Sequence, residues 1–344
     1  MDKELKWFDV VEWGVEGKGW KDTIHPYDRL PGRAEAVVTK EVWSLSHSAP
    51  GMCVHFNTDS PEIHLRWKLE SEQLGEDNFN IMSYSGFDLY FYDGKEWRWA
   101  ATTPHFQVKD TSPNVCMING LPPEMRRCRV YFPQRNPVLK VEVGVVPDAK
   151  FEPVAPRRDL PLVYYGTSIV HGAFTVRTGL GCPQILARDL DLPLINLGFS
   201  GSAKMEAGFA ELIAELDAKY FLIDPLPNMD AKMVEERAEK FLRILCGRKP
   251  GTPVFMIESP MPFGSWTKPV DVAAYHEKIK ECRRAYSALK ANGFANLHRI
   301  DASGFYGTDD NASTDGIHPN DLGHKRMSDG LAEAIRRFEK ESGK

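Results

Sequence analysis

At 344 residues the chain is long enough for two domains and for cores that need no crosslinks. Its 43 basic and 48 acidic residues leave a formal charge of −5 with no basic run, which argues against a phosphate-gripping surface and predicts no nucleic-acid partner. No apolar stretch approaches ~20 residues, so no membrane span or membrane partner is expected. The start, MDKELKWFDVVEWG, lacks the basic opening and apolar run of a signal peptide. It reads as cytoplasmic, or as an exported chain whose signal has been removed. Cys53, Cys116, Cys128, Cys182, Cys246 and Cys282 are scattered without CxxC or zinc-knuckle spacing and read as buried thiols.

The first ~150 residues carry the signals of β structure. MCVHF places Met52, Val54 and Phe56 on one side. IHLRWKL alternates Ile63, Leu65, Trp67 and Leu69 with His64, Arg66 and Lys68, the period of a half-buried strand. In GFDLYFYDGKEWRW, Asp93-Gly94 supplies a tight hairpin turn between two aromatic runs. RVYF and VLKVEVGVV add strands, broken at Gln134-Arg135-Asn136-Pro137. Antiparallel strands without clear helices predict a β-sandwich over residues 1–155.

A stretch with Pro147, Pro153, Pro156 and Pro161 reads as the linker. Beyond it the rhythm changes. LVYYGTS, LINLGF, YFLIDPL, PVFMIES and NLHRIDA are short apolar runs separated by helical patterns. One pattern takes Val272, Tyr275, Ile279, Cys282, Tyr286 and Leu289 and stops at Gly293. The last follows Asn320-Asp321 with Met327, Leu331, Ile335 and Phe338. Strand alternating with helix predicts a parallel sheet covered on both faces over residues 156–344, an α/β fold.

Ligands of such sheets bind at the carboxyl ends of the strands. After the first run, Ser168 follows Tyr165-Gly166-Thr167, where a serine can present its hydroxyl above the sheet or simply cap a helix. After the second comes Asn196-Leu197-Gly198-Phe199-Ser200-Gly201, whose last glycine can turn its N–H to a ligand or make an ordinary turn. After the third, Asp224-Pro225-Leu226-Pro227-Asn228 holds an asparagine between stiffening prolines, a candidate oxyanion donor or a turn residue bonding its own backbone. Near the end, Asp315-Gly316-Ile317-His318 can supply a base and the carboxylate that fixes its tautomer, or an Asx turn. No further His, Cys or carboxylate at close spacing marks a metal site, and no cofactor is implied.

The set and order of these loops resemble the SGNH (GDSL-like) hydrolase superfamily. YYGTSIVHGA, NLGFSG, DPLPNM and DGIHPNDLGH correspond to its four blocks over about residues 160–340. Upstream, Gly86-Phe87-Asp88-Leu89-Tyr90 resembles the GxDLY signature of a jelly-roll-like β-sandwich often fused before such hydrolases. The resemblance implies a three-layer, flavodoxin-like catalytic domain. It also implies Ser168 as nucleophile, His318 as base, Asp315 as its partner, and Gly201, Asn228 and the Ser168 N–H as oxyanion donors. Two departures stand out: Gly-Thr-Ser replaces Gly-Asp-Ser, and the third block lacks the common Gly-x-Asn-Asp form. With Asp315 as the triad acid, activity is expected to survive Thr167.

Proteins of this kind often remove acetyl groups from sugars, so a carbohydrate O-acetylesterase acting on a small-molecule or oligosaccharide ester is the leading expectation. Trp266 could stack on a sugar or pack in a core. His171 could touch substrate or begin the next helix, and Arg177 could contact a carboxylate or acyl group. An acyltransferase using the same triad, and a carbohydrate-binding protein with a vestigial site, are the alternatives. The absence of a long apolar lid segment disfavours a lipase.

Overall fold

The alternation from Ile63 to Leu69 is a strand with the expected four residues buried. It belongs to a computed structural model that describes residues 4–104 and 111–343, so the first three residues of the acidic N-terminal stretch lie outside it. Contacts divide the chain into two units. One is Met1–Pro31, Ser46–Asp159 and Val176–Gly179; the other is Gly32–Leu45, Leu160–Thr175 and Leu180–Lys344.

The first unit is a β-sandwich. Its strands are β1 (Lys6–Asp9), β2 (Cys53–Thr58), β3 (Ile63–Leu69), β4 (Asp88–Tyr92), β5 (Trp97–Thr102), β6 (Asn114–Ile118), β7 (Arg126–Tyr131), β8 (Val138–Val145) and β9 (Phe151–Val154). They pair antiparallel in two sheets, ordered β1-β8-β3-β6 and β5-β4-β7-β2-β9. Val54, Phe56, Leu89 and Val130 from one sheet and Leu65, Trp67, Val141 and Val143 from the other share a single buried core. The Asp93-Gly94 hairpin forms as its sequence demands. Asp93 Oδ1 accepts from Lys95 N and Glu96 N at 3.0 and 2.9 Å, and Gly94 takes φ +97°. Of the short helices α1 (Lys40–Leu45) and α2 (Ile81–Tyr84), the first counts with the second unit. β9 lies inside the Pro-rich stretch read as linker. Among the described residues it is an edge strand paired to β2 alone, where Pro153 loses little.

The GxDLY signature acquires a physical account in this unit. At Gly86 a Cβ would stand 2.5 Å from the Met82 carbonyl oxygen, so glycine is required. Leu89 enters the core. Asp88 Oδ2 accepts from Arg177 Nη1 at 2.7 Å and Gly179 N at 2.8 Å, and Arg177 Nη1 also donates to the Tyr90 hydroxyl oxygen at 2.8 Å. The signature therefore gathers the short segment that follows the serine block in sequence. Elsewhere in the unit, Glu16, Cys53 and His55 converge with one ligating atom each within 4.8 Å of the others. Arg157 occupies both Glu16 oxygens, Nε at 3.1 Å and Nη2 at 3.0 Å, so the cluster is a closed ion-pair network. Burial alone would raise the Glu16 carboxyl, but hydrogen bonds from His55 and Arg157 outweigh it and hold the group charged.

The second unit carries β10 (Leu162–Gly166), β11 (Leu194–Gly198), β12 (Tyr220–Asp224), β13 (Val254–Glu258) and β14 (Leu297–Asp301), all parallel, in the order β11-β10-β12-β13-β14. Its helices are α3 (Ser168–His171), α4 (Cys182–Asp189), α5 (Ala207–Ile213), α6 (Ala231–Arg248), α7 (Pro269–Ala291) and α8 (Asp321–Glu341). Leu162, Tyr164 and Leu222 pack with Leu186 of α4 and Met327, Leu331 and Ile335 of α8. On the opposite face Tyr165 stacks with Phe241 of α6, and Met256 meets Cys282 of α7. This is the three-layer, flavodoxin-like arrangement, with the strand ends on one edge. α7 begins before the periodic residues because Pro269 is suited to the first helical position. Among the described residues no helix is long and apolar enough to cross a membrane. All six cysteines are free thiols, five of them buried.

Candidate active site

β10 ends in a turn so close that a Cβ on Gly166 would stand 2.4 Å from Val170 Cγ2 and 2.9 Å from the Asp224 carbonyl oxygen. Only glycine fits there. Thr167 then caps α3, its Oγ1 accepting from the Ile169 N–H at 3.3 Å. The cap is thus Thr167, which explains a threonine before the serine, and Ser168 is the first residue inside the helix. Its N–H lies among those that a helix leaves without an internal acceptor.

Ser168 Oγ lies 2.8 Å from His318 Nε2, and His318 Nδ1 lies 2.8 Å from Asp315 Oδ2. The other Asp315 oxygen accepts from His318 N at 2.7 Å and Ile317 N at 2.9 Å. Burial pushes the Asp315 carboxyl up, but these N–H groups and the imidazole outweigh it and hold it below the usual carboxylate range. A charged carboxylate on Nδ1 keeps the proton there and leaves Nε2 free to accept from the serine. Ser313 Oγ donates to the His318 carbonyl oxygen, and Asn320 caps α8 just beyond, so both ends of the loop are anchored.

Gly201 adopts φ +69° with open space where a Cβ would be. Asn228 ends the turn after β12. Its amide suits its surroundings with the carbonyl oxygen assigned toward Ser202 N at 3.2 Å and Ala203 N at 3.3 Å, two groups that also donate to the Phe199 carbonyl oxygen, and with the NH2 turned the other way. The second and third loops are thereby joined through one side chain. Lys278 Nζ donates to the Leu226 carbonyl oxygen at 2.9 Å and pins the same turn. Beneath it Asp224 is fully buried. Burial pushes its carboxyl up to about 8, against the Tyr164 hydroxyl and the Lys278 charge.

The residues named as possible substrate contacts fall in three different places. Trp266 is 82% exposed and packs in no core. His171 ends α3 and is fully buried, with Nδ1 3.1 Å from Ser200 Oγ, where it braces the loop that carries Gly201. Arg177 belongs to the sandwich unit, held by Asp88 and Tyr90, with its guanidinium 5.0 Å from the Trp99 ring centre.

Sequence reading misses Phe174 and His324. Phe174 takes φ +62°, a strained conformation for a bulky residue, and its ring lies 5.3 Å from the His318 imidazole. The residue before it is held firmly. Ala173 N donates to the Ser168 carbonyl oxygen at 2.9 Å, and His324 Nε2 donates to the Ala173 carbonyl oxygen at 2.8 Å. Burial lowers His324 to about 4, so it stays neutral, with Nδ1 accepting from Cys182 N. Nothing in sequence announces a positive φ, though His324 does fall inside the fourth block. Phe174→Ala is expected to lower kcat about 10- to 100-fold with little change in KM, because the imidazole loses its wall. Phe174→Gly should match that rate yet be more stable than the alanine variant by about 1 kcal/mol, since glycine accepts the backbone angle. Steady-state kinetics and thermal melts of the pair check both.

A β-sandwich followed by a parallel sheet with serine, glycine, asparagine and Asp-x-x-His loops is the architecture of a two-domain SGNH esterase. Residues 159–336 match the GDSL-like lipase/acylhydrolase family, and residues 5–151 match the GxDLY domain, the N-terminus of SGNH-hydrolase-type esterases. The chain belongs to the GDSL-like lipase/acylhydrolase family, and its class of activity is that of an esterase. A protein from Bacteroides ovatus described as a GDSL-like lipase is 26% identical, covers 98% of each chain and superposes with a TM-score of 0.92. A salicylyl-acyltransferase from a tetracycline biosynthetic pathway is 18% identical over 97% of each chain, with a TM-score of 0.77. An acetyl xylan esterase from the rumen bacterium Butyrivibrio proteoclasticus is 12% identical over 97% of this chain and 99% of its own, with a TM-score of 0.58. The last two share the fold. No curated protein matches the sequence.

Proposed function

We propose that this chain removes O-acetyl groups from carbohydrates through an acyl-enzyme on Ser168. The observation that carries the reading is the 2.8 Å separation of Ser168 Oγ and His318 Nε2, with Asp315 equally close behind. Ser168 Oγ attacks the acetyl carbonyl as its proton passes to His318. The oxyanion is received by the Ser168 and Gly201 N–H groups and the Asn228 amide. His318 returns the proton to the departing sugar oxygen, leaving acetyl on Ser168. Water then attacks with His318 as base, and acetate leaves. The exposed Trp266 ring supports a carbohydrate partner, as does a fold shared with an acetyl xylan esterase.

The test is a panel of acetylated oligosaccharides followed by mass spectrometry. Stepwise loss of acetyl is expected. Binding of glycan without any release would favour a vestigial site. Transfer of the acyl group to an added alcohol in preference to water would favour an acyltransferase.

A further inference from the structure

A pocket of about 780 Å³ is lined by residues that flank the catalytic pair in sequence. Its wall includes Ile169, which follows Ser168, and Ile317, which precedes His318. Sites of this size enclose whole small-molecule ligands, and an acetyl methyl fills very little of one. Part of the wall is apolar: Met229 and Phe263 are buried, and the Phe263 ring stacks on Tyr306 at 4.4 Å between centres. Three lysines and three acidic residues among the lining leave it without net charge, so the pocket is not shaped for an ion. Ile317 is 69% exposed, a large apolar side chain open to solvent next to the imidazole. It is also held in place, because its N–H donates to Asp315 Oδ1, the oxygen that anchors His318.

We infer that the ester taken by this site carries an apolar arm of roughly six to ten carbons or an aryl ring, which occupies this pocket during attack. The inference rests on the reading of Ser168 as the acylated nucleophile and extends it from the bond cleaved to the body of the substrate. Burying the arm removes the Phe263, Met229 and Ile317 surfaces from water together with its own. It also fixes the carbonyl over Ser168 from a point outside the reacting atoms. The charged rim is left for the polar part of an amphiphilic substrate. An arm on the alcohol side keeps acetyl as the acyl group, whereas an arm on the acyl side would overturn the acetyl reading and leave Ser168 as the nucleophile of a longer acyl ester.

Two substrate series with the full chain test this. One varies the acyl group of p-nitrophenyl esters from acetate to octanoate and benzoate. The other holds acetyl constant on methyl, phenyl and octyl glucosides. In one series kcat/KM is expected to rise roughly three- to fourfold per methylene entering the pocket, and the series that rises identifies the side of the arm. Ala274→Trp, which fills the pocket from an exposed helical position, and Ile317→Ala should both flatten that rise. Two flat series, or a rise untouched by both substitutions, would overturn the inference. Loss of acetate hydrolysis in Ser168→Ala separates the two claims. If it occurs while both series are flat, the nucleophile stands and the pocket assignment falls. If it does not occur, the nucleophile itself is wrong.

Discussion

Ser168→Ala is expected to remove about 10⁶-fold of kcat on p-nitrophenyl acetate, the scale seen when other serine nucleophiles are deleted. A residual rate well above that of water should persist, because the Gly201 N–H and the Asn228 amide still await an oxyanion. The fold should not notice. Among the described hydrogen bonds, the lost hydroxyl serves only His318 Nε2, and the helix that carries it is capped by Thr167. The melting temperature should therefore stay within about 2 °C of the parent. An intact melt with a rate within tenfold of the parent would discard the acyl-enzyme. So would failure to find acyl label on Ser168 in rapidly quenched wild-type protein. Loss of rate together with loss of fold would say nothing about chemistry, which is why the melt accompanies the assay.

The loops of the candidate site were legible because all but the last directly follow a strand whose apolar run is unmistakable, and because glycine and proline punctuate them. Ser168, Gly201, Asn228, Asp315 and His318 stand out by residue type and order. The supporting residues do not. Phe174 matters through a backbone angle, and no local pattern marks a phenylalanine at φ +62°. His324 matters through a carbonyl 151 positions away in sequence. Asn228 meets two N–H groups just past the preceding block, a proximity visible only once β11 and β12 are known to flank β10. The division into units shows the same limit. Residues 176–179 follow the serine block yet belong with the sandwich, because Asp88 and Tyr90 claim Arg177 and Gly179. β9 hid among prolines because an edge strand asks little of its residues. Helical and strand periods record contact with a core, whereas active-site support is built from long-range polar contacts that leave no period.

Asp315→Asn should cost about 10⁴-fold in kcat while leaving the loop in place, and the geometry says why. Asp315 Oδ1 accepts from two backbone donors, His318 N at 2.7 Å and Ile317 N at 2.9 Å. An asparagine must put its carbonyl oxygen at that position, since the amide NH2 cannot accept. Its NH2 then faces His318 Nδ1, which is forced to become an acceptor. The imidazole proton moves to Nε2, the atom 2.8 Å from Ser168 Oγ, and the base can no longer take the serine proton. Asp315→Ala should lose comparable rate but also the loop's anchor, so it should melt lower than the asparagine variant. The charge adds a pH signature. The folded carboxyl sits below its unfolded value, so its contribution to stability is present above the ordinary carboxylate range. That contribution is lost as pH falls through the lowered value. Melts of wild type and Asp315→Asn should therefore converge in acid. An asparagine variant retaining more than a tenth of the parent rate, with His318 shown by nitrogen NMR to keep its proton on Nδ1, would remove Asp315 from the triad.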